Sequence, residues 1–436
     1  MSNIDYSDPN NTPPIGQAVP LGLQHVLAMF ASNVTPSIIV AGAAGLAFGG
    51  AEQIYLIQMA MLFAGIATLF QTIGIGPIGA RLPIMQGTSF AFVGVLAGVA
   101  ATQGLSVALT ACIIAGLIHF SLGSVIQKLR FMFPPLVTGL VILAIGLYLI
   151  PVAIKYAAGG AADFQMAADS FGSLLHWTVA LTVVVVSLAC KFMTKGLISN
   201  AAILIGLIAG YIVAVFSGMV SFGGVENAKW FQLPAVMPYG FEFSLGAVIG
   251  VTFVSLVSAI ETIGDTSATT KAGSERDATD AEISGATYAD GLGTAVAGVF
   301  GGLPNTSFSQ NVGIVVMTGI MSRHVVTIAG IIMIICGLIP KIGAVISSMP
   351  LPVLGGGVIV MFGMVAAAGM NMLSTVSMNR RNMIIISVSL AVGLGLNLVP
   401  SAVQHLPGIW KTLATSAVAP TALLAVIMNL VLPEDD

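Results

Sequence analysis

The sequence predicts an all-α, polytopic membrane protein built as an inverted repeat. Hydrophobic residues make up 57% of its 436 residues and charged residues only 7%, whereas soluble domains carry about 25% charged residues. Apolar runs of about 20 residues, the length that crosses roughly 30 Å of hydrocarbon, follow one another along the whole chain. Short patterns of the first half also return in the second half, which indicates an internal duplication.

Fourteen predicted spans leave no room for a sizeable soluble domain. Residues 1–18 precede them as a polar tail that contains neither Lys nor Arg, and we expect this tail to be solvated and cytoplasmic. The predicted spans are residues 19–45, 53–75, 83–103, 105–126, 134–154, 173–190, 197–220, 243–267, 282–300, 303–319, 323–347, 350–370, 381–399 and 412–432.

The distribution of basic residues supports an even number of spans. Cytoplasmic loops of membrane proteins carry an excess of Lys and Arg. With the N-terminus inside, ten of the 14 basic residues face the cytoplasm and only Lys155, Lys229, Lys341 and Lys411 face outward. We therefore expect both termini to be cytoplasmic.

Two patterns show that the halves are inverted repeats. The Pro, Gly and Val positions of residues 135–146 return at 352–363, an offset of 217, and the Thr-Ser-Phe of 88–90 returns at 306–308, an offset of 218. The third span thus corresponds to the tenth and the fifth to the twelfth. A shift of seven spans, being odd, reverses the direction of each helix across the membrane, as in many secondary transporters.

The third and tenth spans are predicted to be interrupted by short extended segments. Each opens with Leu-Pro, at 82–83 and 303–304, and continues with several hydroxyl side chains before a run of small residues. Proline supplies no N–H and disfavours helix at the residue before it. We expect half-helices whose N-termini point at a polar ligand near the midplane. In the alternative, these Ser and Thr side chains bond back to helix carbonyls.

Three acids lie within predicted spans. Apart from Glu282, the first residue of a span, they are Glu261, Asp265 and Asp290. An ionised carboxylate in a membrane helix costs at least ~2.5 kcal/mol on insertion scales, so such acids are seldom incidental. Glu261 and Asp265 are four apart and share a helix face. Acids in such a site can exchange a proton near neutral pH, which is the chemistry of proton coupling. For Asp290 a purely structural role is an equal alternative.

Other kinds of chemistry find no support in the sequence. His25 follows Gln24 in the first span, and a lone His on an apolar face is more often a packed residue than a ligand. No metal-ligand spacing, P-loop or nucleophile motif is present, so we predict no catalytic residue, no metal site and no cofactor other than the coupling proton. A net charge of −3 without a basic run argues against nucleic acid as a partner.

At several of these positions the chain resembles the nucleobase-ascorbate transporter family. Residues 310–319, QNVGIVVMTG, match that family's signature of Gln, Glu or Pro, then Asn-x-Gly-x4-Thr and a final Arg, Lys or Gly. Gln24-His25 resembles the family's first-span pair, and 261–265 and 289–291 resemble its acid motifs in the eighth and ninth spans. The similarity covers essentially the whole chain.

The resemblance implies a core domain from spans 1–4 and 8–11, and a gate domain from spans 5–7 and 12–14, which move past each other in an elevator mechanism. It also implies a homodimer in the bacterial inner membrane. The expected boundaries are 1–18 for the tail, 19–126 and 240–347 for the core, and 127–222 and 348–432 for the gate.

The resemblance also implies a site. Gln310 would bond bidentately to a purine ring, Glu261 would accept its N–H groups, and the amides of Phe90 and Ser309 would reach its remaining acceptors. A carboxamide and a carboxylate suit an oxopurine, which offers N–H donors beside carbonyl acceptors.

Further residues are implied in supporting roles. Asp265 and Asp290 resemble the proton-linked or core-organising acids, Asn311 a support of the binding site, and His25 a distal influence on affinity. Ser89 resembles the variant that accepts uric acid beside xanthine.

These observations lead to a proton-coupled symporter for xanthine, uric acid or both. Three alternatives remain: a permease of the same family for uracil or another nucleobase, an anion exchanger of the same fold, and an intramembrane enzyme or receptor that binds without translocation. An acid in the ligand cavity argues against the anion exchanger, and no motif favours the enzyme.

Overall fold

The structure, a computed structural model, describes residues 7–160, 163, 164, 166 and 168–433. This part of the chain is almost entirely helical, with a single two-stranded ribbon. In chain order its elements are α1 Ile15–Ala43, α2 Ala51–Ile73, β1 Gln86–Thr88, α3 Val93–Gln103, α4 Leu105–Leu122, α5 Ile126–Leu129, a 3₁₀ turn Arg130–Met132, α6 Pro135–Ala157, α7 Leu174–Met193, α8 Leu197–Asn200, α9 Ala202–Phe216, α10 Gly223–Asn227, α11 Leu245–Ser274, α12 Asp280–Val299, β2 Asn305–Ser307, α13 Ser309–Thr318, α14 Arg323–Gly337, α15 Pro340–Ser347, α16 Leu351–Leu373, α17 Arg380–Leu398, a 3₁₀ turn Pro400–Val403, α18 Gly408–Ala414 and α19 Val418–Val431.

The helices identify a multi-pass membrane protein. Among the described residues, eight helices are long and apolar enough to cross a membrane, and nine if the bent pair α14 and α15 forms one span. The other predicted spans contain helices that are shorter, bent or richer in acids. The total of fourteen crossings therefore stays a prediction.

The ribbon β1–β2 is fully buried. The strands are antiparallel, with the Cα pairs Gln86 with Ser307, Gly87 with Thr306, and Thr88 with Asn305. Each strand is followed by a helix, α3 after β1 and α13 after β2. A three-residue strand and a short helix lie in each of the two predicted spans, 83–103 and 303–319, and that each forms one interrupted span stays a prediction.

The register of this ribbon agrees with the internal repeat. Exchanging residues at the offset of 218 converts the pair Gly87 with Thr306 into the pair Thr88 with Asn305. The same exchange converts the pair of Gln86 and Ser307 into Ser89 and Pro304, and the Ser89 N–H does donate to the Pro304 carbonyl at 2.9 Å. The pairing is unchanged when the halves are exchanged.

The helices pack into two groups. In one group α2 packs on α14, α4 packs on α12, and α1, α3, α11 and α13 complete the bundle. In the other group α6 packs along α16, and α7, α9, α17 and α19 surround this pair. Glycines allow close approach: Gly139 of α6 faces Gly369 and Leu373 of α16, as small residues do between membrane helices. We call these the first and second helix groups.

The turn between α11 and α12 is fixed by a capping box. The Thr279 hydroxyl accepts from the Glu282 N–H at 3.3 Å, and the Glu282 carboxylate accepts from the Thr279 N–H at 2.8 Å. Arg276 also donates to both carboxylate oxygens of Glu282, at 2.8 and 2.5 Å. This satisfies the N–H groups of Thr279 and Glu282 at the start of α12 and ties the turn to Arg276, just after α11 ends.

The N-terminal segment lies against the first helix group. Residues 1–6 of the predicted tail lie outside the described residues. Pro9 accepts from the Arg323 N–H at 2.9 Å, Asn10 accepts from the Arg323 guanidinium at 3.0 Å, and Ser7 accepts from the Ser274 hydroxyl at 2.6 Å. Arg323 further donates to the Thr72 carbonyl at 2.8 Å, at the end of α2. Residues 7–11 are thus attached to the bundle, where the sequence predicts a solvated tail.

Candidate functional site

A cavity of about 230 Å³ lies between the two helix groups, beside the ribbon. The first group contributes polar groups from the ends of β1 and β2, the start of α13 and the middle of α11. The second group contributes an apolar wall from α6 and α16, formed by Ile142, Ile145, Met364, Val365 and Ala368. We call this the central cavity. A mostly apolar hollow with a few converging polar groups is the usual form of a small-molecule site.

Glu261 and Gln310 contribute a carboxylate and a carboxamide to the lining of this cavity. Within the described part of the chain, no donor bonds to the Glu261 carboxylate, although Asp265 one turn later has two. Gln310 lies in the first turn of α13, partly exposed to the cavity. A carboxylate and a carboxamide therefore remain available to a ligand with complementary donors and acceptors.

Backbone N–H groups also face this region. Ser309 is the first residue of α13, and Phe90 lies in the turn between β1 and α3; both line the cavity. Among the described residues neither N–H has a hydrogen-bond acceptor. The first N–H groups of a helix lack partners within the helix, and its N-terminus attracts negative partial charge. Both amides are available to ligand oxygens.

Phe90 closes the cavity on one side. Its ring is buried and meets the ring of Phe362 edge to face, with 5.2 Å between centroids and 88° between planes. Phe362 belongs to α16, so this pair is a contact between the two helix groups. Ser89, next to it, lines the cavity and accepts the Ala91 N–H on its hydroxyl at 3.3 Å.

Asp265 lies one layer behind the cavity. Its two carboxylate oxygens accept from the hydroxyls of Ser307 and Ser309, each at 2.7 Å. These serines belong to the tenth predicted span, so Asp265 joins α11 to the end of β2 and the start of α13. A change of charge on Asp265 would act directly on the turn that presents the Ser309 amide.

Asp290 lies deeper still and does not line the cavity. Its carboxylate accepts from the side-chain amides of Gln71 at 3.0 Å and Gln86 at 2.6 Å, and from the Thr262 hydroxyl. The carboxyl group thereby joins α2, β1, α11 and α12. Because every donor comes from a different element, this arrangement fits the organising role that the sequence left open for Asp290.

His25 and Asn311 form a contact outside the cavity. The Asn311 side-chain amide donates to the ring Nδ1 and to the backbone carbonyl of His25, both at 3.0 Å. Both residues are buried. Asn311 thus holds the first turn of α13 against α1, and the geometry gives it a supporting position and not a place on the cavity wall.

Sequence reasoning missed much of the supporting layer. Gln71, Gln86 and Thr262 hold Asp290, but none of them is among the site residues that the sequence predicts. The available indication was Thr262, which directly follows Glu261, and Gln86, which lies between Leu82-Pro83 and the repeated Thr-Ser-Phe. The sequence also does not identify the apolar wall of α6 and α16, because its residues are of the same types as those of lipid-facing helices.

The described residues contain no group of three His, Cys, Asp or Glu side chains that could hold a metal ion. The lining of the central cavity offers hydrogen bonding by Glu261, Gln310, several hydroxyl side chains and two backbone amides, beside an aromatic ring.

Comparisons with known proteins show which family the chain is related to. A family model described as a permease family matches residues 16–430. The chain is 37% identical over 415 residues to the uric acid permease PucK of Bacillus subtilis, covering 95% of both chains. It is 35% identical over 421 residues to the xanthine permease of the same organism, covering 95% of this chain and 94% of that one.

The fold is similar to that of a solved transporter. The transmembrane domain of the cyanobacterial bicarbonate transporter BicA matches with a TM-score of 0.63 at 14% identity, covering 95% of this chain and 97% of that chain. The family match and both relatives are permeases, which confirms the expectation of a transporter and not an enzyme. The family model over residues 16–430 and the relatives that share at least 35% identity with this chain show that it belongs to the permease family of nucleobase-ascorbate transporters.

Proposed function

We propose that this protein is a proton-coupled symporter that imports an oxopurine nucleobase, namely xanthine, uric acid or both, across the bacterial inner membrane. The observation that carries the proposal is the central cavity, where a carboxylate, a carboxamide and two backbone N–H groups meet; the carboxylate and both N–H groups have no hydrogen-bond partner among the described residues. The names of the two Bacillus relatives support the substrate class.

The polar groups of the cavity complement an oxopurine. Such a ring carries N–H donors and carbonyl acceptors in one plane. Glu261 accepts from ring N–H groups, Gln310 both donates and accepts, and the amides of Phe90 and Ser309 donate to ring oxygens or nitrogens. The Phe90 ring covers an edge or face of the ligand. Ser89, with its small side chain, leaves room for the oxygen that uric acid carries and xanthine lacks.

Glu261 is the proposed point of proton coupling. It is the one acid of the three that lines the cavity without a hydrogen-bond donor among the described residues. Its protonation state therefore changes the donors and acceptors that the ligand meets, which links proton and purine binding. Asp265 responds through the two serine hydroxyls that it accepts from.

The proposed mechanism is elevator-like. The first helix group, as the core domain, carries the ligand past the second helix group, as the gate domain, whose apolar wall forms no polar bond to the purine. Fourteen spans as two inverted sevens, cytoplasmic termini and a homodimer belong to the same proposal. The fold that this chain shares with BicA supports the two-group architecture.

The function is tested by uptake into proteoliposomes. Labelled xanthine is offered under an inward proton gradient, with and without a protonophore, in competition with uric acid, hypoxanthine, guanine and uracil. The proposal expects accumulation that the protonophore abolishes and that uric acid, but not uracil, competes. Competition chiefly by uracil would assign another substrate branch, and binding without accumulation would reject transport. Accumulation of bicarbonate or chloride in place of purines would favour an anion exchanger.

The site is tested by Glu261→Gln, with Glu226→Gln as the matched control. Glu226 is an exposed acid outside the cavity. Glu261→Gln is expected to abolish proton-driven accumulation because the residue no longer titrates, while the protein still folds. Gln310→Glu is expected to impair purine binding because a donor is replaced by a charge. Normal proton-driven uptake by both site variants would reject the assignment.

A further inference from the structure

An extended segment, residues 230–243, crosses one end of the first helix group. It leads from α10 to α11 and forms neither helix nor strand. It lies at the end where α2 begins and where α12 and α14 end, opposite to the end that the N-terminal segment contacts. With the cytoplasmic termini of the proposed topology, this is the outer end. We call residues 230–243 the strap.

Hydrogen bonds attach the strap to the first helix group. The Gln232 N–H donates to the Leu338 carbonyl at 3.2 Å, just after α14. The Met237 N–H donates to the Val299 carbonyl at 2.8 Å, at the end of α12. Further bonds join the strap to side chains of α2 and α4. The backbone of the strap is thus fixed along its length, so its side chains hold defined positions.

The large apolar side chains of the strap are exposed, although its backbone is bonded to the bundle. Six of them are between 58% and 75% exposed, namely Trp230, Phe231, Leu233, Val236, Phe241 and Phe243. Glu242 is the only charged residue of the strap. A contiguous set of exposed apolar side chains marks a surface that another molecule or a membrane covers.

The helices next to the strap also expose apolar side chains. Ile331 and Ile335 of α14 are 45% and 53% exposed, and Leu245 and Ile249 of α11 are 60% and 41% exposed. In a multi-pass membrane protein, exposed apolar faces of spanning helices contact acyl chains. The strap therefore continues a surface that already faces lipid, which favours a lipid surface over a protein partner.

Trp230 has the surroundings of an interfacial anchor. The Lys341 ammonium lies 5.2 Å from the centroid of a ring of Trp230 and donates to the Val225 carbonyl at 2.8 Å. Tryptophan is enriched where acyl chains meet headgroups, and lysine places its charge there while its stem stays on apolar surface. This pair indicates that the strap lies at the level of the headgroups and not in the middle of the hydrocarbon.

We propose that the strap binds the lipid surface of the outer leaflet, with its aromatic and aliphatic side chains inserted at the boundary between headgroups and acyl chains. Irregular backbone does not occur where hydrocarbon surrounds it, so the side chains enter the acyl region while the backbone stays bonded to the bundle. The bonds described above join the strap to the first helix group. It therefore connects the group that moves in the proposed mechanism to the membrane surface.

The test measures the depth of single tryptophans in the full chain, reconstituted into phosphatidylcholine vesicles. Trp177→Phe with Trp410→Phe leaves Trp230 as the only tryptophan. In a second variant Trp230→Phe is added, and Phe241→Trp reports on the other end of the strap. The lipids carry bromine near the headgroup end or near the methyl end of the acyl chain, and iodide is present in the water on both sides. Both tryptophans are expected about 5–10 Å into the headgroup and acyl boundary, quenched more by the bromine near the headgroup and shielded from iodide.

Two control variants calibrate the depth scale, each with the three native tryptophans replaced by phenylalanine. Val185→Trp lies in the middle of α7, where Val185 is 61% exposed, and should be quenched most by the bromine near the methyl end. Asp277→Trp lies in the turn after α11, where the Asp277 side chain is 95% exposed, and should be quenched by iodide and not by bromine.

Three outcomes would overturn the lipid contact. Iodide quenching of Trp230 equal to that of Asp277→Trp would place the strap in water. Shielding of Trp230 from both bromine and iodide would show that protein, such as a second copy of the chain, covers it. Bromine quenching at Trp230 but not at Phe241→Trp would limit the contact to one side chain. These readouts do not depend on purine transport, so their failure is distinct from a failure of the uptake assay. Monodispersity in size-exclusion chromatography shows that each variant is folded.

Discussion

The three acids within the membrane helices occupy three different environments. Glu261 faces the central cavity without a donor in the described structure, Asp265 accepts two serine hydroxyls, and Asp290 accepts two amides and one hydroxyl. The number of donors increases as the distance from the cavity grows. A carboxylate thus lines the cavity at Glu261, whereas at Asp265 and Asp290 a carboxylate connects helices and strands.

Asp290→Asn is expected to destabilise the fold more than Glu261→Gln. The carboxamide of asparagine brings an NH₂ group against side chains that already donate, namely Gln71, Gln86 and Thr262, so at least one buried donor loses its acceptor. The cost is about 1–3 kcal/mol. The measurement is the midpoint of thermal unfolding of the detergent-solubilised protein. A midpoint that falls for Glu261→Gln and stays constant for Asp290→Asn would contradict these assignments.

At the residue scale the sequence predicts functional side chains better than their supports. Glu261, Asp265 and Asp290 are identifiable because a charge in an apolar span is unusual. Gln71 and Gln86 are not, because an isolated glutamine in a helix or strand has many uses and its partner lies more than 200 positions away. Only the folded chain shows which acid each one serves.

Among the elements, the ribbon β1–β2 determines where the two half-length helices start. Its residues are fully buried, and Gly87 is surrounded closely. A Cβ atom there would lie 2.5 Å from the Phe308 ring, 2.6 Å from the Met29 methyl and 2.8 Å from the Asn33 side-chain oxygen. That Asn33 oxygen accepts the Thr88 N–H at 2.8 Å, so a displacement of Asn33 also loosens the strand.

Gly87→Ala is therefore expected to destabilise the protein by about 1–3 kcal/mol, the typical cost of overpacking. The matched control is Gly264→Ala in α11, where no atom lies within 4 Å of an added Cβ and alanine favours the helix. Thermal unfolding midpoints of both variants in the same detergent provide the measurement. If the two variants unfold at the same temperature, the ribbon is not closely packed at Gly87.

The positions of elements follow from the sequence where proline interrupts an apolar run. Leu82-Pro83 and Leu303-Pro304 predict extended segments; β2 begins directly after Pro304, and β1 begins three residues after Pro83. The predicted span 323–347 is instead two helices at 79°. Pro340 begins the second of them, and the residue before a proline avoids the helical region. Pro340 marks this break in the sequence. The single span 323–347 was nevertheless predicted, because a hydropathy profile alone does not detect a bend between two apolar helices.

For the whole molecule, the central cavity lies on the boundary between two helix groups, so transport in the proposed mechanism requires that these groups slide past one another. Ser32 of α1 and Met361 of α16 lie across this boundary, and the Ser32 hydroxyl meets the Met361 sulfur at 3.1 Å. A covalent link at this place would fix the first helix group to the second.

We expect a cross-link between Ser32→Cys and Met361→Cys to abolish purine uptake. The variant is made in a background in which Cys112, Cys190 and Cys336 are replaced by serine or alanine, and a short bifunctional thiol reagent links the pair. Binding of labelled xanthine should remain, because Glu261 and Gln310 are not altered. Each single cysteine variant treated with the reagent is the control. Undiminished uptake by fully linked protein would exclude an elevator movement at this boundary.

The sequence predicts the relation between the two halves of the molecule, because short patterns of the first half recur in the second. The offset of about 218 residues in two separate patterns predicts related halves, and the ribbon register is consistent with that relation. How far the N-terminal segment is ordered was not predictable, because residues 7–11 are polar and resemble a free tail. Their contacts with Ser274 and Arg323 arise only when the ends of α11 and α14 come together.

The symmetry of the ribbon has a consequence for the origin of the protein. A pairing that is unchanged when the halves are exchanged needs only one kind of strand, supplied twice in opposite directions. We infer that an ancestral gene of half the present length encoded a chain that inserted in both orientations and assembled with its own upside-down copy. Fusion of two such genes would then have freed Gln86 to diverge from its counterpart Pro304, and Gln86 alone of the two carries the amide that donates to Asp290.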